Sequence, residues 1–157
     1  MHVVVEYSEE IKTPFRESFF QKVALRTLEE CHFSFLEEKE IHLNVVAVSQ
    51  ERIQELNTQY RGKESATDIL SFGEYGDRNA LEEEIEEEIF LGEIFLCSTF
   101  IEKAAKEDTV TFEREMVYVF SHGVLHMVGF DHEEEMFLIQ EKVTDVFTEE
   151  KEYNRGV

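Results

Sequence analysis

The residues of this chain best suited to do chemistry are three histidines within eleven positions. They lie in the segment HGVLHMVGFDH at 122–132. His122 and His126 are four residues apart, so on a helix their side chains share one face and lie about 6 Å apart. Gly129 follows where a helix can end in a left-handed conformation, and the chain can then turn His132 back towards the same point. Three neutral imidazoles leave a coordination position open. This is the donor set of a catalytic zinc site, because structural zinc sites use four protein ligands, usually including cysteine.

The same histidine spacing occurs in the metzincin proteases, whose pattern is HExxHxxGxxH. Those enzymes need a glutamate directly after the first histidine as the general base, and Gly123 occupies that position here. By spacing, neither Glu115, seven residues before His122, nor Glu133 replaces that base. Asp131 either accepts a hydrogen bond from a ligand imidazole or only forms the turn. Peptide hydrolysis is therefore disfavoured.

A second cluster lies in LNTQYRGKESATDILSF, residues 56–72. Arg61 and Lys63 flank a glycine at a predicted helix-to-strand turn. The planar guanidinium suits a phosphate and the lysine adds a point charge. An ordinary exposed loop remains the alternative. A weaker positive track is conceivable on the first predicted helix, through Arg16, Lys22 and Arg26.

Hydrophobic periodicity and end signals predict the elements that must position these side chains. Strands are predicted at 2–7, 41–48, 67–72 and 89–96. Helices are predicted at 13–31, 50–60, 98–106, 111–128 and 133–150. Strands and helices are interleaved, so we expect an α+β fold. It would be a single domain over 1–157, with a small mixed four-stranded sheet, about five helices and the metal site at the end of a core helix.

Three local expectations follow from the same patterns. Gly62 should end the second helix in a left-handed conformation. The acidic run LEEEIEEE at 81–88 should be an exposed loop, or else a tail for a metal or a partner. In the last helix, the residues expected to face the core are Phe137, Leu138, Val143, Val146 and Phe147.

Composition limits the function classes. The chain has 157 residues, with 15 basic and 36 acidic side chains and a formal charge of −21, which argues against non-specific binding to a polyanion. Residues 64–157 have a net charge of −18, so any nucleic-acid contact should use the near-neutral 1–63 part. No stretch is apolar and long enough to predict a membrane span, and a secretory signal is not expected. With only Cys31 and Cys97, a reducing cytoplasm is expected.

Together the two clusters resemble a known family. HGVLHMVGFDH matches the HGxLHLxGYDH signature of the YbeY family of bacterial metal-dependent endoribonucleases. Residues 56–72 resemble its LNxxYRGKDxPTxVLSFPF segment, and LGEIFLC at 91–97 resembles its LGDIxIS strand. The resemblance runs from about Val45 to the end of the chain. The departures leave the histidines and Arg61 unchanged: they are Glu64, Ala66, Gly73, Tyr75 and Glu93.

The resemblance implies an α+β sandwich in which His122, His126 and His132 bind one zinc ion per chain. Nickel or another borderline ion would also suit three imidazoles. It further implies that Arg61 is the active-site arginine, with Lys63 beside it for substrate binding. The implied activity is single-strand-specific cleavage of RNA in rRNA maturation, notably at the 3′ end of small-subunit rRNA, and in ribosome quality control. A ribosome or ribosomal-protein partner is expected, and DNA is not.

Two alternatives stay open at this point. The chain could be a zinc hydrolase of peptides or small molecules, or a non-catalytic ribosome-assembly factor with a structural metal. The sequence identifies no general base, so the nucleophile is either a metal-activated water or the 2′-hydroxyl of the substrate.

Overall fold

The fold is an α+β arrangement of one four-stranded sheet and six helices, seen in a computed structural model that describes the backbone of residues 1–155 and the side chains of residues 1–148. The strands are β1 (His2–Glu9), β2 (Glu40–Ala47), β3 (Ile69–Gly73) and β4 (Glu88–Leu96). The helices are α1 (Glu17–Glu30), α2 (Gln50–Arg61), α3 (Arg78–Glu82), α4 (Ser98–Asp108), α5 (Phe112–Met127) and α6 (Glu134–Arg155), with a 3₁₀ turn at Ser34–Leu36. The predicted fold class is confirmed, and α3 is the helix that the pattern did not predict.

The sheet is mixed, as predicted. Its strand order is β1-β2-β4-β3, with β1/β2 and β2/β4 parallel and β3/β4 antiparallel. In β2 the side chains alternate, and Ile41, Leu43, Val45 and Ala47 are buried on one face. Most of β4 is buried, but at its beginning Phe90 is 41% exposed.

Helix α5 is the core helix that carries two of the histidines. The Thr111 hydroxyl caps its beginning by accepting a hydrogen bond from the Arg114 N–H at 3.1 Å. Most of its residues are buried, and it packs against α1, α4, α6, β3 and β4. A helix that is apolar nearly all round must be surrounded in this way. The end of α5 is therefore fixed in position by the core of the protein.

Two helices differ from their predicted form. Helix α1 begins at Glu17 rather than at Thr13, because the Thr13 hydroxyl bonds the Tyr7 hydroxyl (2.6 Å) and the Phe15 N–H (3.2 Å) in the preceding turn. In α6 the inward prediction is wrong for Phe137 and Leu138, which are 40% and 63% exposed. The buried face of α6 is formed instead by Met136, Ile139, Gln140, Val143 and Thr144.

The acidic run is only in part the predicted loop. Its first residue, Leu81, is fully buried in α3, and its last, Glu88, begins β4. Between them the carboxylate of Glu84 accepts hydrogen bonds from the Tyr75 hydroxyl (3.2 Å) and the Glu86 N–H (3.1 Å). Glu83, Ile85, Glu86 and Glu87 are exposed, as the side chains of a solvated loop are, with Ile85 at 89%.

The short helix α3 supports the turn that follows α5. The Arg78 guanidinium lies between the rings of Phe33 (4.8 Å) and Phe130 (4.3 Å), and its Nε donates to the Val128 carbonyl at 3.3 Å. Gly129 ends α5 with φ +96°, as predicted, and a Cβ there would lie 2.8 Å from the Arg78 Cβ. Both backbone conformation and space therefore require glycine at this turn.

Both cysteines are free and buried. Burial raises the pKa of the Cys31 thiol to about 12, so it stays protonated and unreactive at neutral pH. None of the helices within residues 1–155 is long and apolar enough to cross a membrane.

We expect Gly129→Ala to destabilise the protein by on the order of 3 kcal/mol, because it adds backbone strain and displaces the Arg78 backbone. In a chain of this size each kcal/mol lowers Tm by about 2–4 °C. The control is Gly76→Ala, since no heavy atom lies within 4 Å of a Cβ at that position. Thermal unfolding followed by circular dichroism checks this, and equal Tm values for the two variants would contradict it.

Candidate metal centre and cleft

The three predicted histidines meet at one point. His122 and His126 lie one helical turn apart on α5, and their Nε2 atoms are 2.9 Å apart. The turn through Gly129 brings the ring of His132 to 5.3 Å and 5.0 Å from those of His122 and His126, between centroids. One nitrogen from each ring lies within 4.8 Å of the other two. The three nitrogens are close enough together to hold a single ion.

The remaining ring nitrogen of each α5 histidine has its own partner. Nδ1 of His126 lies 2.9 Å from the Phe130 carbonyl, and Nδ1 of His122 lies 3.2 Å from Oε1 of Gln140 in α6. The role considered for Asp131 is thus filled by a backbone carbonyl, and the Asp131 side chain is exposed. Such outer contacts fix the orientation and tautomer of metal-binding imidazoles.

These partners determine which nitrogens carry protons. The Phe130 carbonyl can only accept, so Nδ1 of His126 must donate. The Gln140 amide donates through Nε2 to the Tyr118 carbonyl at 2.8 Å, which turns Oε1 towards His122 and makes its Nδ1 a donor too. Burial lowers the pKa of His122 and favours the neutral ring. When both rings are neutral, as metal binding requires, the two Nε2 atoms present lone pairs to each other.

Two lone pairs facing each other at 2.9 Å repel unless a cation lies between them. The hydrogen bonds made by the two Nδ1 atoms thus leave both Nε2 atoms free, and this donor set fits a metal ion. Neutral imidazoles suit zinc, copper, iron or nickel, and a site with only three protein ligands leaves a position for water or substrate.

Arg61 and Lys63 line the same cleft as the three histidines, a space of about 760 Å³ between α2, β3 and α5. Arg61 is in the last turn of α2, which ends at Gly62 in the predicted left-handed conformation. Its guanidinium donates to the Ser71 carbonyl at 2.8 Å and lies 5.1 Å from the ring centroid of Phe72. The structure therefore gathers all five predicted site residues around one cavity.

The sequence reasoning missed Asp68 and Gln140 of this cleft, and it considered Glu115 only as a replacement for the metzincin base. Burial, with the nearby charges of Asp108 and Asp68, raises the pKa of Glu115 above its ordinary value. Glu115 precedes His122 by two helical turns, so its place on the same face could have been inferred. The signal for Gln140 was a polar residue within the apolar stripe of α6, and it is only 1% exposed.

Phe137 has a different place from the one predicted. Its ring lies 6.4 Å from that of His122 and 6.3 Å from that of His132, between centroids, and it lines the cleft. It shields the histidines on the α6 side and is not a core residue. An apolar wall beside a metal site lowers the local dielectric and strengthens charge interactions within it.

We expect Gln140→Leu to remove the preference of His122 for the Nδ1–H tautomer and to weaken metal binding about 10–100-fold. Gln140→Glu keeps an acceptor for His122 and should retain more of the tautomer preference. Long-range ¹H–¹⁵N NMR of the metal-free imidazoles checks the tautomer, and competition with a chromophoric chelator gives the affinity. Glu141→Gln, one residue further along α6, is the control. An unchanged tautomer in Gln140→Leu would contradict this assignment.

Comparison with known proteins identifies one family. The family model described as Endoribonuclease YbeY matches residues 6–151. A relative of that name from Thermotoga maritima is 37% identical over 114 residues, 73% of this chain and 66% of the relative. Another, from Staphylococcus carnosus, is 35% identical over 113 residues, 69% of this chain and 73% of the relative. The solution structure of a Thermotoga maritima protein matches with a TM-score of 0.60 and 31% identity, covering 96% of this chain and 93% of that one.

The first of these alignments spans just under two thirds of the relative's length. The family match nevertheless covers nearly the whole of this chain and includes the histidine segment and the arginine loop. On the strength of this match, the chain belongs to the YbeY family.

Proposed function

We propose that this chain is a zinc-dependent endoribonuclease specific for single-stranded RNA, acting in the cytoplasm on rRNA. The observation that carries the proposal is the convergence of three imidazoles and Arg61 on one cleft. The names of the relatives support RNA cleavage. The more specific roles, in maturation of the small-subunit 3′ end and in ribosome quality control, follow from the family resemblance.

The ligands proposed for the metal are His122, His126 and His132, and zinc would supply an activated water or polarise a phosphoryl oxygen. Arg61 binds the scissile phosphate and neutralises the charge that develops on it as the P–O bond breaks. Its hydrogen bond to the Ser71 carbonyl holds the guanidinium in place before substrate binds. Lys63 adds a second positive charge at the rim of the cleft.

Glu115 is the candidate proton acceptor or donor. It lines the cleft, and its raised pKa brings the carboxyl closer to neutral pH, where proton transfer is most effective. It does not take the place of the metzincin glutamate, because it lies two turns earlier on α5. A larger residue at position 123 is also disfavoured by packing, since a Cβ there would lie 2.6 Å from Cδ1 of Ile69 in β3.

The charge distribution bears on how RNA reaches the cleft. A net charge of −21 repels a polyanion, and Arg61 and Lys63 offer only local attraction. We therefore propose that a ribosomal or other protein partner delivers the RNA. The purified chain alone should cleave RNA slowly and with strong dependence on salt.

The first test is cleavage of a labelled single-stranded RNA by protein made without an affinity tag. We expect His126→Ala and Arg61→Ala each to lose about 10²-fold or more in rate, from loss of the metal or of charge neutralisation. Arg52→Ala is the matched control, because Arg52 lies on the same helix but pairs with Glu10 and Glu55. Equal cleavage by all four proteins would indicate a contaminating nuclease and contradict the assignment.

The product ends distinguish the two possible nucleophiles. Attack by water leaves a linear phosphate, whereas attack by the 2′-hydroxyl leaves a 2′,3′-cyclic phosphate and requires no water in the first step. Mass spectrometry of the fragments separates them, and a substrate with one 2′-deoxy nucleotide at the cut site should be cleaved only in the first case.

Preference for single strands has a candidate in Tyr60. Its ring is 57% exposed next to Arg61 and packs edge-on against Phe72 at 5.3 Å, so it can stack on an unpaired base. Such stacking contributes about 1–3 kcal/mol per base. We expect Tyr60→Ala to raise KM about tenfold with little change in kcat, and Tyr60→Phe to behave as the parent. Phe90→Ala, an exposed aromatic on β4, is the control, and an unchanged KM in Tyr60→Ala would exclude this role.

A further inference from the structure

A second group of metal-ligating side chains lies where the parallel strands begin. The register pairs His2 of β1 with Glu40 of β2, and Glu40 with Glu88 of β4. His42 is two residues after Glu40, so it points to the same face of the sheet. The strands therefore bring four side chains together on one solvent-accessible part of the sheet.

The distances within this group are short. Nε2 of His42 lies 3.1 Å from Oε1 of Glu88 and 3.3 Å from Oε2 of Glu40. The other oxygen of Glu40 lies 3.4 Å from Nδ1 of His2. One ligand atom each from Glu40, His42 and Glu88 lies within 4.8 Å of the other two. Three atoms of the types that bind divalent ions already converge.

One imidazole N–H cannot satisfy two carboxylate oxygens equally, since it has a single proton to donate along one line. A divalent cation in place of that proton contacts all three atoms at once and offsets the repulsion between the carboxylates. His2 is then placed to hold Glu40 through its second oxygen, as outer partners do at metal sites. Because the ligands stand on paired strands, little ordering is needed on binding.

The group is separate from the cleft. Leu96 of β4 pairs with Ile69, which lines the cleft. Glu88 is eight positions before Leu96, which corresponds to about 26 Å along the strand. The surrounding charge also favours a cation, because residues 82–88 contain six glutamates. From these observations we propose a second divalent-cation site, of the zinc class, formed by Glu40, His42 and Glu88 and fastening β2 to β4.

The test is the zinc stoichiometry of the purified chain, measured by competition with a chromophoric chelator. We expect two ions for the parent protein, one for His122→Ala/His126→Ala, one for Glu88→Gln and none for the combined variant. Glu87→Gln, which removes the same charge one residue earlier, is the control and should bind two. Circular dichroism confirms that each variant is folded, which Glu88→Gln should be because it is nearly isosteric and exposed.

A second readout separates this site from the proposed nuclease site. In the His122→Ala/His126→Ala background, zinc should raise Tm, and Glu88→Gln or His42→Ala should abolish that rise. Equal stoichiometry for the parent and Glu88→Gln, or no zinc-dependent Tm rise in the double variant, would overturn the proposal. Neither result depends on RNA cleavage, so the nuclease assignment stands or falls independently.

Discussion

The close approach of the His122 and His126 Nε2 atoms is the constraint on which the site depends. Each ring is held from behind, one by a backbone carbonyl and the other by a buried amide. When both rings are neutral, these contacts turn two lone pairs towards each other, an arrangement that is costly alone and favourable around a cation. The protein thus holds the two rings in place before any ion binds, and it does so with groups contributed by two other parts of the chain.

Packing around α5 offsets the unfavourable free energy of this arrangement. The turn at Gly129 is held between α5 and α3, where Arg78 lies between two aromatic rings and bonds the Val128 carbonyl. This turn supplies both the carbonyl that orients His126 and the third imidazole. A five-residue helix far away in sequence therefore supports two of the three proposed ligands.

Local features of this structure were predictable from sequence and tertiary features were not. The helical spacing of His122 and His126, the glycine stop and the interleaved strands are short-range patterns, and the structure confirms them. The contact of Gln140 with His122 and the position of Phe137 could not be predicted, because they depend on how α6 rotates against α5. Helix α3 overlaps only the start of the acidic run, where charge suggested a loop but one buried leucine and an aspartate cap decided the structure.

The contact between Gly123 and Ile69 has a mechanical consequence. Without a side chain at position 123, the Ile69 side chain of β3 packs closely against α5, and β3 also carries the Ser71 carbonyl that holds Arg61. The two walls of the cleft are therefore parts of one packed unit, and close-packed atoms fix the width of the cleft. A cleft of fixed width does not adapt to its ligand, so the conformational entropy lost on binding must come mainly from the ligand. Flexible chains can adjust to such a slot, whereas stiff ones must already match its shape.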